Sequence, residues 1–325
     1  MSRSGPMIET PSPALRAGEG RGEGRPLESR LRSMARNSPP GEAGAATQHF
    51  EFDECDSGRL LVNRRFLPVL EANGLTTFAA LFNLAKGEVV RAVADRSTAR
   101  ISLPACGGEM SFFLKRHQPP RLLERIKPFL HLSQPVLGAR HEWEAMLRFH
   151  AAGIPTMTPV AFGELHSRSL VMTQDLETDQ TLLDWVNDIA DARESRGAIL
   201  PEKTQLLKRS VVSRVAQIAR QMHGHGLHHQ DFYLNHLLCS GDLAGLDLRV
   251  IDLGRVRQHA RLSHRWVVKD LAQLDFSARR LSCRDRLRFL RLYLGRPFRP
   301  ADRRLVRQIV LKSWWIAAHT AKNNL

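Results

Sequence analysis

Alternation of apolar and polar residues is the main pattern in the first half of the chain, and it predicts strands. Three alternating runs are separated by the polar segment 95–97 and by the Pro- and Gly-containing segment 104–108, which predicts a three-stranded antiparallel meander. Two further runs flank a turn predicted at residues 163–164. The predicted strands are residues 89–93, 99–103, 110–115, 158–162 and 169–173.

Spacings of three and four between apolar residues dominate the second half of the chain and predict helices. Trp143, Met146 and His150 share one face of a helix predicted over residues 140–152, which Gly153 ends. The other predicted elements are a short helix after Thr77 through Leu84, a long helix over 206–222 that ends at Gly224 or Gly226, helices around 287–294 and 306–317, and short strands at 237–238 and 248–251.

The order of these elements predicts an α+β fold, in which a small antiparallel sheet with one helix precedes a mainly helical region. Residues 1–48 are rich in Gly, Pro, Ser, Ala, Arg and Glu and have too few apolar residues to form a buried face, which predicts a disordered tail. We therefore predict a tail at 1–48, a small lobe at 49–174 and a helical lobe at 175–325, with a hinge near residues 173–177.

The net charge of +15 is concentrated near the C-terminus. From Arg255 onward the chain has 18 Lys and Arg but four Asp and Glu. This balance suits an anionic membrane surface, a phosphorylated substrate or nucleic acid, but it also suits solvated helix faces that are rich in arginine. No base-reading motif is visible among these arginines, so nucleic acid is the least favoured partner. Trp314 and Trp315 either lie at such an interface or pack inside the protein.

The compartment is predicted from two further observations. No apolar run reaches the roughly 18 residues needed to cross a bilayer. The four cysteines are scattered without metal-binding spacing, as in a protein of the reduced cytosol. We therefore predict a cytoplasmic protein, with peripheral contact at the inner face of the membrane through the basic C-terminal region.

Four charged residues occur in the order and spacing of a kinase of the protein-kinase fold. Lys115 closes an apolar strand, Glu142 lies in the first turns of the next helix, and Asp231 follows a helix and a loop. Asp252 comes 21 residues after Asp231, between a strand and a Leu-Gly pair. Each residue alone is a weak signal, but the four together predict a site for nucleotide phosphates.

The chemistry of phosphoryl transfer explains these residue types, because catalysis depends mostly on positioning and on neutralising charge. Lys115 supplies a positive charge for the α- and β-phosphates, and Glu142 holds its ammonium group by a charge-assisted hydrogen bond. Glu144 is the alternative partner, but it lies about 200° around the helix from Glu142, so only one of the two can face the sheet. Asp252 is the predicted Mg²⁺ ligand, and Asp231 is the predicted general base.

Five segments of the chain resemble the lipopolysaccharide kinase (Kdo/WaaP) family, over roughly residues 60–295. The resemblance implies a two-lobed protein-kinase-like fold and the use of ATP with Mg²⁺. It also implies transfer of the γ-phosphoryl group to a heptose or Kdo hydroxyl of the lipopolysaccharide inner core, with a lipid-linked core saccharide as acceptor. The segments are FFLKR at 112–116, GIPT at 153–156, GLHHQDFYLNH at 226–236, VIDLGR at 250–255 and RWVVKDL at 265–271.

Two features depart from the ordinary protein-kinase pattern. His236 stands where a protein kinase has the Asn that binds a second magnesium ion, and Asn235 comes one position earlier. Both are candidate metal-site residues, but imidazole is a poor ligand for Mg²⁺, so His236 has the alternative role of orienting the phosphate or the loop. No glycine-rich loop precedes Lys115, and residues 95–98 are the candidate cover for the phosphates, with Arg96 supplying charge.

The remaining candidates lie around the nucleotide and the catalytic loop. Met172, Thr173 and Asp175 are assigned to nucleotide binding near the hinge, with core packing as the alternative for Met172. His229 is assigned to the catalytic group, where bracing the loop is its simplest role. The lysine and aspartate at 269–270 are expected to anchor that loop from a helix below it.

Other readings of the sequence stay open. The histidines at 223, 225, 228 and 229 suggest a zinc site, which the lack of a nearby cysteine pair disfavours. A kinase of the same fold that acts on a small molecule or a protein side chain is an alternative function. A pseudokinase that binds nucleotide without turnover is another, although a binding module has no need of all four charged residues.

Overall fold

The structure, a computed structural model, describes residues 49–93, 95–118, 138–176, 180–195 and 201–323. The tail predicted at 1–48 lies outside these residues, and the predicted boundary at residue 174 stays a prediction. An antiparallel sheet precedes a mainly helical region, so the predicted α+β order is confirmed. Within the described part of the chain, no helix is both long and apolar enough to cross a membrane.

A seven-stranded antiparallel sheet forms the first half of the described chain. The described strands are β1 (Phe52–Cys55), β2 (Leu60–Asn63), β3 (Glu88–Val93), β4 (Arg96–Ala105), β5 (Gly108–His117), β6 (Pro159–Leu165), β7 (Arg168–Gln174), β8 (Gln180–Thr181), β9 (Leu227–His228), β10 (Leu237–Ser240), β11 (Asp247–Val250) and β12 (Arg257–Gln258). The large sheet has the order β1-β2-β6-β7-β5-β4-β3, and two small sheets have the orders β11-β10-β8 and β12-β9. The strand that carries Lys115, β5, therefore lies inside the large sheet.

Helices dominate the second half of the described chain. They are α1 (Leu67–Ala72), α2 (Phe78–Phe82), α3 (Gly138–Ala151), α4 (Leu182–Ser195), α5 (Glu202–Gly224), α6 (His264–Ser277), α7 (Cys283–Leu294) and α8 (Asp302–Asn323). Helix α3 packs against strands of the large sheet, while α8 packs on α6 and α7 packs on α5. Two 3₁₀ turns, Leu234–His236 and Leu253–Arg255, follow the predicted general base, Asp231, and the predicted metal ligand, Asp252.

The core of the large sheet fixes which way Lys115 points. Phe112 and Leu114 of β5 are fully buried in one hydrophobic cluster. Burial of each such side chain contributes about 1.5–3 kcal/mol, which holds the register of the strand. Because successive side chains of a strand point to opposite faces, Lys115 faces away from this cluster.

The turn predicted at residues 163–164 is wrong. Strand β6 continues through Leu165, and the chain turns at His166, whose φ is +55°. Gly163 marks close packing instead, because a Cβ there would lie 2.9 Å from the ring of Phe78 and 3.0 Å from the carbonyl oxygen of Arg59.

The meander strands are longer than predicted. Arg96 and Ser97 belong to β4, where they pair with His117 and Arg116 of β5. The predicted break over 95–97 and the covering loop over 95–98 are therefore wrong in extent, and only Asp95 stays outside the strand. Pairing along the whole length of β5 outweighs the turn preference of these polar residues.

Strands β1 and β2 and helix α4 were not predicted. All four residues of β2 are buried, so this strand lacks the alternation on which the strand predictions depend. Helix α4 could have been predicted, because its buried residues Leu182, Val186 and Ile189 occur in the sequence at helical spacing.

Candidate active site

Lys115, Glu142 and Asp252 converge beside the large sheet. Nζ of Lys115 donates a hydrogen bond to Oε1 of Glu142 at 2.6 Å and lies 3.8 Å from Oδ1 of Asp252. Glu142 is buried, whereas 48% of the Asp252 side chain is exposed. Glu144, the alternative partner, pairs with Arg148 one turn along α3. The ammonium group is thus held between one buried and one accessible carboxylate.

The electrostatics of these groups keep both charges in place. Burial opposes the charge of Lys115, but the carboxylates of Glu142 and Asp252 outweigh it and raise the pKa of the ammonium group above its usual value. Burial likewise opposes the charge of Asp252, yet Lys115 and His236 lower the pKa of its carboxyl below the usual value. A cation and an available carboxylate therefore coexist at neutral pH.

Asp252 is placed by contacts on both sides of its turn. Its backbone is left-handed, with φ +58° and ψ +58°, a conformation that Asp tolerates better than most residues. The strand before it is tied to the segment after α3, because Thr156 Oγ1 donates to the Val250 carbonyl at 2.6 Å. After the turn, His141 of α3 hydrogen-bonds the Val256 carbonyl. The helix that carries Glu142 and the turn that carries Asp252 are thereby joined.

The catalytic loop around Asp231 is held by one face of helix α6. Asp270, Gln273 and Ser277 are spaced at i, i+3 and i+7, so they share a face, and each accepts a backbone hydrogen bond from the loop. The N–H groups of His229 and Gln230 donate to Asp270 at 2.8 and 3.0 Å, that of Phe232 donates to Gln273 at 3.1 Å, and that of Leu234 donates to Ser277 at 3.0 Å.

Asp270 is fully buried, and its surroundings keep it ionised. Burial alone would raise the pKa of its carboxyl, but hydrogen bonds from His223 and the His229 amide lower the pKa below the usual value. His223 Nε2 lies 3.3 Å from the carboxylate, while its Nδ1 lies 2.8 Å from the hydroxyl of Tyr293. Asp270 was expected as an anchor of the loop, whereas Gln273 and Ser277 were not, although their spacing along α6 carried the signal.

Asp231 pairs with an arginine that the sequence analysis did not single out. Nη1 of Arg255 donates to Oδ1 and Oδ2 of Asp231 at 3.1 and 2.9 Å. The side chain of Gln230 donates to the Arg255 carbonyl at 2.9 Å, which fixes the backbone of this arginine. The available signal was position, because Arg255 directly follows the Asp-Leu-Gly turn. A guanidinium group here orients the carboxylate that is predicted to be the general base.

His236 faces Asp252. His236 Nδ1 donates to the Asp231 carbonyl at 2.7 Å, which aims its Nε2 at Oδ2 of Asp252, 3.7 Å away. The Asn235 side chain is exposed on the adjacent position of the 3₁₀ turn, and its role at the metal site stays a prediction.

His229 supports the loop from inside. Its side chain is fully buried, and Nε2 donates to the Ile251 carbonyl at 3.1 Å. Burial lowers the pKa of the ring, so it is neutral at physiological pH. The structure thus places His229 as a positioning residue rather than a catalytic one, because a side chain without exposed surface does not touch a substrate.

The zinc reading of the four neighbouring histidines is not supported. His225 bonds the Gln221 carbonyl and His228 bonds His259, so each ring has its own partner, as His223 and His229 also do. Within the described ranges, no three His, Cys, Asp or Glu side chains are grouped to hold a metal ion.

The remaining nucleotide candidates lie along β4 and β7. Met172 is wholly buried in the core of the sheet, and this assigns it to packing instead of adenine contact. Thr173 is also buried. Asp175 pairs with Arg100 at 2.6 Å, so its carboxylate is engaged. Arg96 begins β4 and lies near enough to Lys115 for its charge to oppose that ammonium group.

The residues present fit a nucleotide with a hard metal ion. Lys115 offers a fixed cation for phosphate oxygens, and the exposed side of Asp252 offers carboxylate oxygens, which Mg²⁺ prefers. Mg²⁺ at phosphate sites is usually held by one or two carboxylates together with the phosphates themselves, so a full protein cage is not required.

Comparison with known proteins gives one consistent result. Residues 83–293 match the model of the lipopolysaccharide kinase (Kdo/WaaP) family. The chain is 37% identical to the lipopolysaccharide core heptose(I) kinase WaaP of Escherichia coli (strain K12) over 237 residues, which cover 70% of this chain and 84% of that protein. It is also 37% identical to WaaP of Pseudomonas aeruginosa (strain PAO1) over 238 residues, with the same coverage of 70% and 84%. A solved structure described as WaaP in complex with acyl carrier protein matches with a TM-score of 0.61 and 33% identity, covering 78% of this chain and 98% of that one.

Proposed function

The chain belongs to the lipopolysaccharide kinase (Kdo/WaaP) family, and on that premise we propose that it transfers the γ-phosphoryl group of ATP to a sugar hydroxyl of the lipopolysaccharide inner core. The fold is protein-kinase-like, as the structural relative indicates. Heptose is the favoured acceptor sugar, because the curated relatives are named as core heptose(I) kinases. The observation in this structure that carries the proposal is the position of Lys115 between Glu142 and Asp252.

Lys115 and Asp252 are proposed to bind the two charged parts of the nucleotide. Lys115 contacts the phosphates, and the buried carboxylate of Glu142 holds its ammonium group in place. Asp252 would hold Mg²⁺, with His236 beside it. When bound, the metal ion neutralises the charge that develops on the phosphate oxygens.

Asp231 is proposed as the general base for the acceptor. As the acceptor oxygen bonds to the γ-phosphorus and the bond to the β-phosphate oxygen breaks, the hydroxyl proton passes to the Asp231 carboxylate. Arg255 orients this carboxylate through its two hydrogen bonds. The hydrogen bonds from the loop to α6, together with buried His229, keep the loop rigid while the charge moves.

The site disfavours the pseudokinase alternative. A protein that binds nucleotide without turnover needs a phosphate contact, but it does not need an oriented carboxylate on the acceptor side. Asp231 is 22% exposed and is aligned by Arg255, which suits proton transfer to a bound hydroxyl.

Two partners belong to the proposal. The acceptor is a lipid-linked core saccharide, so the protein works at the cytoplasmic face of the membrane and contacts an anionic surface through its basic C-terminal region. An acyl carrier protein is the second partner, because the solved relative was captured with one and this chain covers 98% of that structure.

The proposal is tested with the purified protein, ATP labelled at the γ-phosphate and Mg²⁺. The acceptors are dephosphorylated inner-core oligosaccharide and, in parallel, a general protein substrate. We expect label on the oligosaccharide, which becomes sensitive to phosphatase, and none on the protein substrate. Label on protein side chains alone would favour the kinase alternative, and nucleotide binding without any transfer would favour the pseudokinase.

A further inference from the structure

A groove of about 970 Å³ lies between helices α7 and α8 and is lined by unpaired arginines. None of its guanidinium groups forms a hydrogen bond or ion pair with any residue that the structure describes. The other arginines nearby behave differently, since Arg279, Arg280, Arg286 and Arg296 all have partners. The groove arginines are Arg284, Arg288, Arg291, Arg299, Arg303 and Arg307.

The charge of this groove is only partly compensated, because Asp285 and Asp302, the carboxylates on which Arg288 and Arg299 act, are already paired with Lys208 and Arg296. The residues that line it include six arginines and no Asp or Glu. Like charges brought together repel each other, and an anion that enters the groove relieves this repulsion. Arginine also binds phosphate groups in a bidentate manner, which makes phosphate a suitable ligand class.

The same surface exposes apolar side chains. Eleven large hydrophobic residues are exposed in the described part of the chain, and seven of them lie between Leu287 and Trp315. Monomeric proteins rarely leave such residues clustered in water without an interaction to make. The exposed fractions are 50% for Leu287, 41% for Phe298, 53% for Val310, 55% for Leu311, 60% for Trp314 and 64% for Trp315.

Helix α8 separates its packing face from this exposed face. Ile309 and Ser313, four residues apart, are buried against the neighbouring helices. Val310, Leu311 and Trp314 are directly or nearly adjacent to these two residues in the sequence, but they point outward instead. The helix therefore has an apolar side beyond the one that it needs for folding.

We propose that this face, formed by the six groove arginines and the exposed apolar residues of α7 and α8, binds an anionic lipid bilayer. Tryptophan side chains favour the boundary between headgroups and acyl chains, and arginines on the same surface bind the headgroup phosphates. An acidic protein surface would also fit arginines beside exposed tryptophans, so binding of such a protein in place of a bilayer is an outcome of the test below. This inference names the residues of the membrane contact that belongs to the proposed function. It rests on the proposed function in one respect only, namely that membrane binding would bring the protein close to a lipid-linked acceptor.

The test measures binding of the full chain to vesicles by sedimentation. Vesicles of phosphatidylcholine with phosphatidylglycerol are compared with vesicles of phosphatidylcholine alone. Each arginine near an anionic surface contributes about fivefold to partitioning, so the double variant Arg303→Gln and Arg307→Gln is expected to bind about 25-fold more weakly. The control removes the same charge at the large sheet, with Arg59→Gln in the turn before β2 and Arg168→Gln in β7, and is expected to bind as the wild type does.

Tryptophan fluorescence supplies the second measurement. Anionic vesicles that contain brominated lipid are expected to quench the wild type, and this quenching is expected to disappear in the Trp314→Ala and Trp315→Ala double variant. Both residues are more than half exposed, so the variant is expected to fold, which its melting temperature checks.

Several results would overturn the inference. The first is equal binding of the wild type to neutral and anionic vesicles. The second is binding of the arginine variant to anionic vesicles as tightly as the wild type. The third is an arginine variant that no longer binds acyl carrier protein but still binds vesicles as the wild type does. Phosphoryl transfer to an oligosaccharide without its lipid distinguishes failure of the membrane-binding inference from failure of the proposed function. That transfer is expected to persist in the arginine variant, and its absence from the wild type would count against the kinase assignment instead.

Discussion

Nζ of Lys115 lies 3.8 Å from Oδ1 of Asp252, although one residue comes from the large sheet and the other from the turn after β11. The buried carboxylate of Glu142 holds the same ammonium group at 2.6 Å. This arrangement leaves Asp252 half exposed and able to take a metal ion, while Lys115 stays charged. Substitutions can separate the roles of these three residues from the role of the loop that carries Asp231.

Removing the charge of Glu142 is expected to weaken nucleotide use. In Glu142→Gln the hydrogen bond to Lys115 loses its ionic character, which is typically worth about 1.5–3 kcal/mol, or roughly 10- to 150-fold in kcat/KM for ATP. Steady-state kinetics measures this loss. The matched control is Glu144→Gln, which breaks only the partly exposed pair with Arg148 and is expected to leave kcat/KM within about twofold. Equal effects of the two substitutions would contradict the role of Glu142.

Asp252→Ala is expected to abolish the dependence of nucleotide binding on Mg²⁺. Without this carboxylate, Lys115 still offers a cation to the phosphates, so some metal-independent binding is retained. Calorimetric titration with an ATP analogue, with and without Mg²⁺, measures the difference. An affinity that still rises with Mg²⁺ as in the wild type would remove Asp252 from the metal site.

Asp231→Asn is expected to separate chemistry from binding. The amide retains the shape of the side chain but does not accept the hydroxyl proton, so kcat is expected to fall by about 10²- to 10⁴-fold. Nucleotide affinity is expected to stay close to that of the wild type, because Lys115 and Asp252 are unchanged. Persistence of transfer at the wild-type rate would show that another group is the base.

Asp270→Asn is expected to destabilise the helical region. The buried carboxylate accepts hydrogen bonds from the backbone N–H groups of His229 and Gln230. An Asn side chain has only one oxygen to accept them, so one of these N–H groups is left unpaired. A loss of about 3 kcal/mol or more in the free energy of unfolding is expected, measured by urea denaturation. Asp247→Asn is the control, because its pair with Arg249 is exposed and is worth less than about 1 kcal/mol. A loss as small as that of the control would contradict the anchoring role.

Stability is expected to fall between pH 6.5 and 4 because of His228. Burial lowers the pKa of this ring from 6.5 to about 4, so the unfolded chain binds more protons than the folded chain in that range. Stability from this group is therefore complete above pH 6.5 and is lost as the pH falls, by about 3 kcal/mol in total. Denaturation at several pH values measures the slope.

A variant isolates the contribution of His228 to that slope. His228→Asn is expected to reduce the pH dependence between pH 6.5 and 4 but not to remove it, because burial also lowers the pKa of His117 from 6.5 to about 4. His166→Asn, at an exposed turn, is expected to leave the slope unchanged. A slope that is the same in the wild type and in His228→Asn would show that other groups carry the dependence.

The central pair could be predicted from the sequence because local periodicity determines it. Strand alternation places Lys115 opposite the buried Phe112 and Leu114, and helix geometry separates Glu142 from Glu144. The regular spacing of the predicted elements gave the α+β order in the same way. Where local pattern and tertiary structure agree, sequence reasoning is sufficient.

The errors arise where burial depends on distant partners. Met172 and His229 carry the right chemistry for a site, but only the packed structure shows that neither side chain is exposed. Gly163 resembles a turn residue in the sequence, yet it is required by close contact with Phe78. The position of Arg255 directly after the Asp-Leu-Gly turn places it near the site, but it does not show that its partner is Asp231.

The most direct test of the account is mass spectrometry of the core glycolipid from cells that lack this gene. Cells are complemented with the wild-type gene or with Asp231→Asn. We expect one inner-core phosphate to be absent without the gene, restored by the wild type and still absent with the variant. An unchanged glycolipid in cells without the gene, or full restoration by the variant, would contradict the central claim.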